Sequence, residues 1–194
     1  MIPKSYAQDF EDILILLCIR DRKDISYLDI GCNHPIRWSN TYLFYENGYR
    51  GTLVEPLTDL HELIQKLRPE DHLIKYGVGD GTRSEYLIKI KGSYGTSSYI
   101  TDDKYKGCAN CHTIKVLTIN EILMSIKKLP TFISIDCEGY DLPILKTMDF
   151  EKYPVPVICA ETNKPVSIKG MDEFMASKGY SMRFKNCTNT VYGK

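Results

Sequence analysis

A short apolar run, a glycine and a loop follow one another in residues 27–34, and this segment constrains the fold more than any other. Its first four residues are apolar apart from Asp29, which predicts one buried strand that Gly31 ends. The polar residues and the proline that follow favour a loop, and Ser39 predicts the start of a helix over residues 39–47. A buried strand, a glycine turn and a helix form the opening of a nucleotide-binding βαβ unit. The segment therefore predicts a cofactor site at the end of the first strand.

Strand and helix patterns alternate along the rest of the chain. The predicted strands are residues 52–55, 73–78, 85–90, 113–117, 132–136 and 155–160, and residues 180–184 and 190–192 predict a hairpin. The predicted helices begin at Ser5 within the N-terminal residues 1–24, at Thr58, at Thr118 with Glu121 in a capping box, at Asp141, and in a last segment through Met171. Residues 92–112 have no period and predict a loop or lid. The alternation predicts an α/β fold with a mostly parallel sheet, helices on both faces and a C-terminal antiparallel strand.

Length, charge and cysteine content narrow the domain organisation and the partners. The chain of 194 residues is predicted to form a single domain over residues 1–194. Its formal net charge is zero and it has no polybasic run, which argues against nucleic acid or a membrane surface as a partner. The apolar run at residues 13–19 is too short to span a bilayer. Seven cysteines, an odd number, predict a reducing, cytoplasmic location. No pattern indicates an oligomeric state.

Acidic residues or glycines stand at the ends of five predicted strands. They are Asp29 with Gly31, Glu55, Gly79 with Asp80, Asp136 with Glu138, and Glu161. Because the carboxyl ends of parallel strands meet at one edge of a sheet, we expect these residues around one ligand. Gly31 would let the backbone approach it, Glu55 would accept both ribose hydroxyls, and Asp80 would accept from an adenine amino group. Asp29 and Asp136 would face an ammonium or sulfonium group.

Dinucleotide binding is the main competing interpretation of the first strand and its loop. Its fingerprint needs three glycines so that a pyrophosphate can rest on the start of a helix. Here Asn33 stands in place of the second glycine and Ile36 in place of the third, so a ligand with a ribose and no phosphates fits better. We therefore predict S-adenosylmethionine as the cofactor, with Asn33 among its contacts. An NAD-dependent or nucleotide-sugar enzyme and a non-catalytic adenosyl-binding module are the alternatives.

Five ordered segments carry a family resemblance. They are S-x-x-Q-x-x-E-D over residues 5–12, the glycine loop 28–35, the helix start 39–42, the second strand 48–56 and D-x-E-G within residues 135–141. Together they resemble the FkbM family of S-adenosylmethionine-dependent methyltransferases. The resemblance implies a three-layer αβα class I methyltransferase (Rossmann-like) fold with strand order 3-2-1-4-5-7-6, and O-methylation of a small molecule or glycan.

The same resemblance assigns roles to residues at matching positions. It implies cofactor contacts from Asp29, Gly31, Glu55 and Asp80, which are the residues already singled out at the strand ends. It also implies that Gln8 and Asp12 close over the cofactor and that the D-x-E-G run faces the methyl group.

Methyl transfer to a hydroxyl needs a group that takes the proton of the acceptor. The candidates for this general base are Asp136, Glu138, Glu161 and His34. Asp136 and Glu138 are preferred because of their place in the D-x-E-G run. A histidine ordinarily has a pKa near neutrality, but a loop residue hydrogen-bonded to the backbone is a better explanation of His34 than a general base.

Cys108, Cys111 and His112 have the spacing of a haem attachment motif and of half a zinc site. A structural zinc site needs four ligands, and the sequence has no second close pair of cysteines or histidines. We therefore predict no metal and interpret Cys108 and Cys111 as loop cysteines that can form a disulfide.

Overall fold

The computed structural model describes residues 4–91, 96–100, 111–163 and 170–194, in which six helices and eleven strands occur. The helices are α1 (Glu11–Ile19), α2 (Tyr42–Glu46), α3 (Thr58–Leu67), α4 (Ile119–Ser125), α5 (Asp141–Thr147) and α6 (Met171–Ser177). The strands are β1 (Tyr27–Ile30), β2 (Thr52–Val54), β3 (His72–Ile74), β4 (Gly77–Gly79), β5 (Glu85–Lys91), β6 (Thr96–Ile100), β7 (Cys111–Thr118), β8 (Phe132–Ile135), β9 (Val157–Glu161), β10 (Ser181–Lys185) and β11 (Asn189–Gly193). No helix among the described residues combines the length and apolar character needed to cross a membrane.

Seven strands form the main sheet, in the order β10-β11-β9-β8-β1-β2-β3. Five neighbouring strands are parallel to one another: β9, β8, β1, β2 and β3. Strand β11 is antiparallel to both β9 and β10. Read from the β3 edge and counted within this sheet, the order is 3-2-1-4-5-7-6, as the resemblance implied. The fold is a class I methyltransferase fold, and the predicted C-terminal antiparallel strand is confirmed.

Helices cover both faces of the main sheet. On one face α1 and α2 pack through Ile15 and Phe44, together with α3. On the other face α5 and α6 pack through Leu145 and Met175, together with α4. Because both faces are buried, β1, β8 and β9 have hardly any exposed residues, which explains their nearly continuous apolar sequences.

A second, smaller sheet of four strands has the order β4-β7-β5-β6. It is inserted between β3 and α4, and the sequence did not predict it as a separate sheet. The prediction of one strand over residues 73–78 was wrong, because β3 pairs with β2 in the main sheet and β4 pairs with β7 in the small one. The exposed residues Lys75 and Tyr76 separate the two strands. An apolar pattern shows that a segment is buried but not which sheet it joins.

The prediction of a loop over residues 92–112 was also wrong in part. Strand β6 lies inside this segment and pairs antiparallel with β5, and β7 begins at Cys111. Three of the five residues of β6 are threonine or serine, which leaves no hydrophobic period from which the strand could be predicted. Residues 92–95 and 101–110, including Cys108, lie outside the described part of the chain.

Three predicted helix starts moved by a few residues. Helix α1 begins at Glu11 rather than near Ser5, because the Ser5 hydroxyl donates to Asp12 Oδ1 at 2.6 Å instead of capping a helix. Helix α2 begins at Tyr42, although the Ser39 hydroxyl still accepts from the Tyr42 N–H at 3.1 Å. Asp141 is the first residue of α5 and not its cap.

Candidate active site

A cavity of about 300 Å³ opens at the carboxyl ends of β1, β2, β8 and β9. Most predicted site residues line it: Gln8, Asp29, Gly31, Asn33, His34, Glu55, Asp136, Glu138 and Glu161. The predicted residues outside its lining are Asp12, Gly79 and Asp80. Residues at the ends of β1, β2, β8 and β9 thus lie around one cavity, as expected, and β4 contributes Gly77 and Val78 to it rather than Gly79 and Asp80.

Gly31 brings the ends of β1 and β8 close together. Its φ of 77° is in the left-handed region, and a Cβ atom at this position would lie 2.1 Å from the carbonyl oxygen of Asp136. Its N–H donates to the carbonyl of Val54 at 2.9 Å, which ties the turn to β2 as well. The glycine is therefore required by the neighbouring backbone, and not only by a ligand as the sequence suggested.

Glu55 is buried at the end of β2, and its carboxylate is held by two backbone N–H groups. Oε2 accepts from Asn33 at 2.9 Å and Oε1 accepts from Leu57 at 2.8 Å. Burial raises the pKa of Glu55 to about 7, although these two hydrogen bonds act in the opposite direction. Each oxygen keeps a further lone pair, so the carboxylate can accept two hydroxyl groups from a ligand in the cavity.

Asp29 is buried under the cavity, and a hydroxyl bridge connects it to a guanidinium group. Thr41 donates to Asp29 Oδ2 at 2.5 Å and accepts from Arg68 Nη1 at 2.9 Å. Burial raises the pKa of Asp29, whereas the charge of Arg68 opposes this shift. The bridge therefore orients the carboxylate and brings a positive charge near it.

Arg68 itself is only 1% exposed, and a second carboxylate compensates for the burial of its charge. Its Nε donates to Asp71 Oδ2 at 2.7 Å, and Asp71 also accepts from the hydroxyl of Tyr27 and the N–H of Gly51. The sequence analysis missed Arg68 and Asp71, since arginine and aspartate at the end of a helix usually lie in solvent. The network fixes the floor of the cavity beneath Asp29.

The D-x-E-G segment forms a strained turn after β8. The Asp136 N–H donates to the carbonyl of Ile30, and the Glu138 N–H donates to Asp136 Oδ1 at 3.4 Å. Glu138 has a φ of 55° and Gly139 a φ of 96°, so two successive residues are left-handed. Glycine adopts this conformation readily, but a glutamate there persists only where the surrounding structure holds it, often at functional sites. The turn directs both acidic residues to the cavity.

Behind this turn lies a buried carboxyl group that the sequence analysis assigned only to a helix cap. Asp141 is fully buried and accepts from the N–H of Cys137 at 3.5 Å. Burial, and then the charge of Glu161, raise the pKa of Asp141 to about 7. Glu161 is 4% exposed and lines the cavity at the end of β9.

His34 is poorly placed to act as a base. Its Nδ1 accepts from the N–H groups of Ile36 at 3.1 Å and Arg37 at 3.0 Å. These two hydrogen bonds assign the proton of the neutral imidazole to Nε2, which leaves no free lone pair for a substrate proton. Burial and the charge of Arg37 also lower the pKa of His34. The loop interpretation of this histidine agrees with its contacts.

The N-terminal segment lines the cavity through Gln8, whereas Asp12 lies outside the lining and holds the backbone of this segment. The Asp12 carboxylate accepts from the Ser5 hydroxyl and from the N–H of Tyr6 at 2.7 Å, so it holds the backbone just before Gln8. Glu11, which the sequence analysis did not weigh, accepts from the side chain of Asn189 at 3.0 Å. The two buried carboxylates thereby attach this segment to its own helix and to the C-terminal hairpin.

Several cavity residues were not predicted. They are Arg37, Trp38, Asn40, Tyr76, Asn163 and Thr188. Trp38 is 55% exposed with a φ of 59°, and the Arg37 guanidinium lies 4.7 Å from the centre of its ring. A bulky residue in the left-handed region is unusual and signals a local constraint. A lone tryptophan next to the glycine loop was the available sequence signal.

A metal site does not emerge from the described residues. No group of three or more histidine, cysteine or acidic side chains among them could hold a metal ion. Cys111 and His112 lie in β7, and Cys108, with which Cys111 was expected to be able to form a disulfide, is outside the described residues.

Methyltransferases are among the solved structures similar to this one. The C-terminal domain of precorrin-6Y C5,15-methyltransferase from Rhodobacter capsulatus is 15% identical with a TM-score of 0.51, over 93% of this chain and 84% of that one. Precorrin-6Y C5,15-methyltransferase from Geobacter metallireducens is 12% identical with a TM-score of 0.56, over 100% of this chain and 93% of that one. A putative RNA methyltransferase from Pyrococcus horikoshii is 10% identical with a TM-score of 0.51, over 95% and 82%. At these identities the likeness shows the fold and nothing about the acceptor.

Sequence comparisons identify the family. A search of curated protein sequences gives no significant match. The methyltransferase FkbM domain, by contrast, matches residues 29–182, which include the glycine loop, Glu55 and the D-x-E-G turn. The chain therefore belongs to the FkbM methyltransferase domain family.

Proposed function

We propose that this protein is an S-adenosylmethionine-dependent O-methyltransferase whose acceptor is a hydroxyl group on a small molecule or glycan. The observation that carries the proposal is the convergence of Asp29, Glu55 and Asp136 on one cavity beside the Gly31 turn. The loop after β1 offers no cradle of glycines for a pyrophosphate, and a carboxylate-rich site would repel one. Membership in a methyltransferase family supports the same reaction class.

The residues of the cavity fit the parts of this cofactor. Glu55, with a spare lone pair on each oxygen, would accept the two ribose hydroxyls. The apolar side chains of Val78, Ile88 and Ile114 form a wall suited to an adenine ring. Asp29 would attract the ammonium group of the amino-acid end.

The chemistry divides between cofactor and protein. When bound, S-adenosylmethionine supplies an electrophilic methyl group on a positively charged sulfur. Asp136 or Glu138, from the turn after β8, would take the proton of the attacking hydroxyl onto a carboxylate oxygen. The rigid sheet edge would align the acceptor oxygen with the methyl carbon, which is a proximity effect.

The lining of the cavity favours a hydroxylated acceptor over a polyanion. Five carboxylates line it: Asp29, Glu55, Asp136, Glu138 and Glu161. Hydroxyl groups donate hydrogen bonds to carboxylates, whereas the phosphates of RNA are repelled by them. The exposed rings of Trp38 and Tyr76, at 55% and 40% exposure, offer flat apolar surfaces for a ring-shaped acceptor.

The test is transfer of a labelled methyl group from S-adenosylmethionine to panels of hydroxylated glycans, small phenols and alcohols, and RNA. We expect label in a glycan or small hydroxylated compound and none in RNA. Asp136→Asn and Glu138→Gln should be compared with the exposed control Glu62→Gln. At least one of the two turn variants should lose about a hundredfold or more in rate, and the control none. Labelled RNA with unlabelled hydroxyl compounds would contradict the proposed acceptor class.

A further inference from the structure

The carboxylate of Asp80 is held by side chains of the protein on both oxygens. Oδ1 accepts from the hydroxyls of Tyr86 at 2.5 Å and Thr82 at 2.6 Å, and Oδ2 accepts from the hydroxyl of Tyr140 at 2.8 Å. Burial alone would raise the pKa of Asp80, but these hydrogen bonds outweigh it and lower the pKa. The carboxylate therefore stays ionised, which makes the hydrogen bonds charge-assisted and short.

These hydrogen bonds connect the two sheets of the protein. Tyr86 belongs to β5 of the small sheet, whereas Tyr140 follows the D-x-E-G turn of the main sheet. The two tyrosine rings also contact each other edge to face, with centroids 5.7 Å apart. Asp80 thus joins the small sheet, which supplies Ile88 to the cavity wall, to the turn that supplies Glu138.

The D-x-E-G turn, at one end of this connection, has an unusual backbone conformation. Glu138 and Gly139 are both left-handed, with φ of 55° and 96°. Its C-terminal side is anchored by Asp141, which accepts from the N–H of Cys137. Tyr140 lies between the two left-handed residues and Asp141, so its hydrogen bond to Asp80 limits where the turn can move.

We propose that Asp80 is a positioning residue that acts through Tyr140 to hold the D-x-E-G turn in place, and that it does not contact the adenine. This inference rests on the proposed function, because it takes Asp136 and Glu138 to face the methyl group. It replaces the adenine contact expected from the sequence, and it explains why Asp80 is outside the cavity lining.

The experiment uses two cofactor analogues and needs no acceptor. S-adenosylhomocysteine lacks the methyl group and its charge, whereas sinefungin carries an amine where the methyl group stands. Correctly placed turn carboxylates should make the protein prefer sinefungin, so the ratio of the two Kd values reports the position of the turn. We expect Tyr140→Phe and Asp80→Asn to reduce this preference about threefold or more, with the affinity for S-adenosylhomocysteine unchanged within twofold.

A matched control is Tyr192→Phe. It removes a hydroxyl that donates to Asp172 at 2.5 Å, and Tyr192 does not line the cavity. We expect this variant to keep the wild-type preference. Thermal melts of all variants show that each sample is folded, and Tyr86→Phe serves as a second variant of the same connection if Tyr140→Phe does not fold.

Three results would overturn the inference. The preference for sinefungin could be unchanged in Tyr140→Phe, or both analogues could weaken equally, which would mean that the bond only supports the fold. Asp80→Asn could also abolish the discrimination between S-adenosylhomocysteine and its inosine counterpart, which would make Asp80 an adenine contact. If the wild-type protein binds none of the analogues, the proposed function fails instead.

Discussion

Glu55 is a single side chain that supports the local fold and also lines the candidate active site. Its oxygens accept hydrogen bonds from the N–H groups of Asn33 and Leu57, and the residue also lines the cavity. A carboxylate in this position costs desolvation, which is the main reason that its pKa is raised to about 7. Under the proposed ribose contact, ligand binding is therefore linked to the protonation of Glu55.

The pH dependence of binding follows from this pKa. Ribose hydroxyls can donate to the ionised carboxylate but not to both oxygens of the protonated acid, so affinity should fall as the pH is lowered through about 7. For 5′-methylthioadenosine, which has no group that titrates in this range, we expect about a tenfold loss between pH 8 and pH 6. Isothermal calorimetry measures it.

Two variants test whether Glu55, and not another titratable group, causes the pH dependence of binding. Glu55→Ala should bind about tenfold more weakly or worse at pH 8 and lose the pH dependence. The exposed Glu62→Gln on the neighbouring helix should keep both the affinity and its pH dependence. An affinity that is flat or rises at low pH in the wild type would refute the ribose assignment.

At the level of elements, local features such as helix caps could be predicted from the sequence better than the pairing partners of strands. The capping box at Thr118 and Glu121 is confirmed, with the Glu121 N–H donating to the Thr118 hydroxyl at 3.2 Å. Such signals are read within four residues of sequence. The four-stranded sheet was missed because β4 and β6 are short and are defined by partners elsewhere in the chain.

The capping box gives a prediction about α4, the helix that precedes β8. Thr118→Ala removes the acceptor for the Glu121 N–H, and we expect a loss of about 1 kcal/mol in the free energy of unfolding. Urea titration followed by circular dichroism measures it. Thr58→Ala is the matched control, because Thr58 opens α3 without capping it, and its effect should stay within about 0.5 kcal/mol. Equal losses in the two variants would contradict the role of the cap.

For the whole molecule, the sequence predicted the main sheet and most of the cavity. Asp29, Glu55 and Asp136 could be placed together because parallel strands end at one edge, and this is a property of topology. Arg68 could not, because its contacts with Thr41 and Asp71 form only after β1, α2 and α3 have packed. The position of Asp80 could not be predicted for a similar reason, since the strand that precedes it belongs to the small sheet.

The most direct test of the central claim, a cavity built for an adenosyl group without phosphates, is calorimetric titration of the wild-type protein with S-adenosylhomocysteine and, separately, with NAD. We expect one-to-one binding of S-adenosylhomocysteine with a Kd of about 1–100 μM or tighter, and no heat from NAD beyond that of dilution. A folded sample that binds NAD, or that binds neither compound, would contradict it.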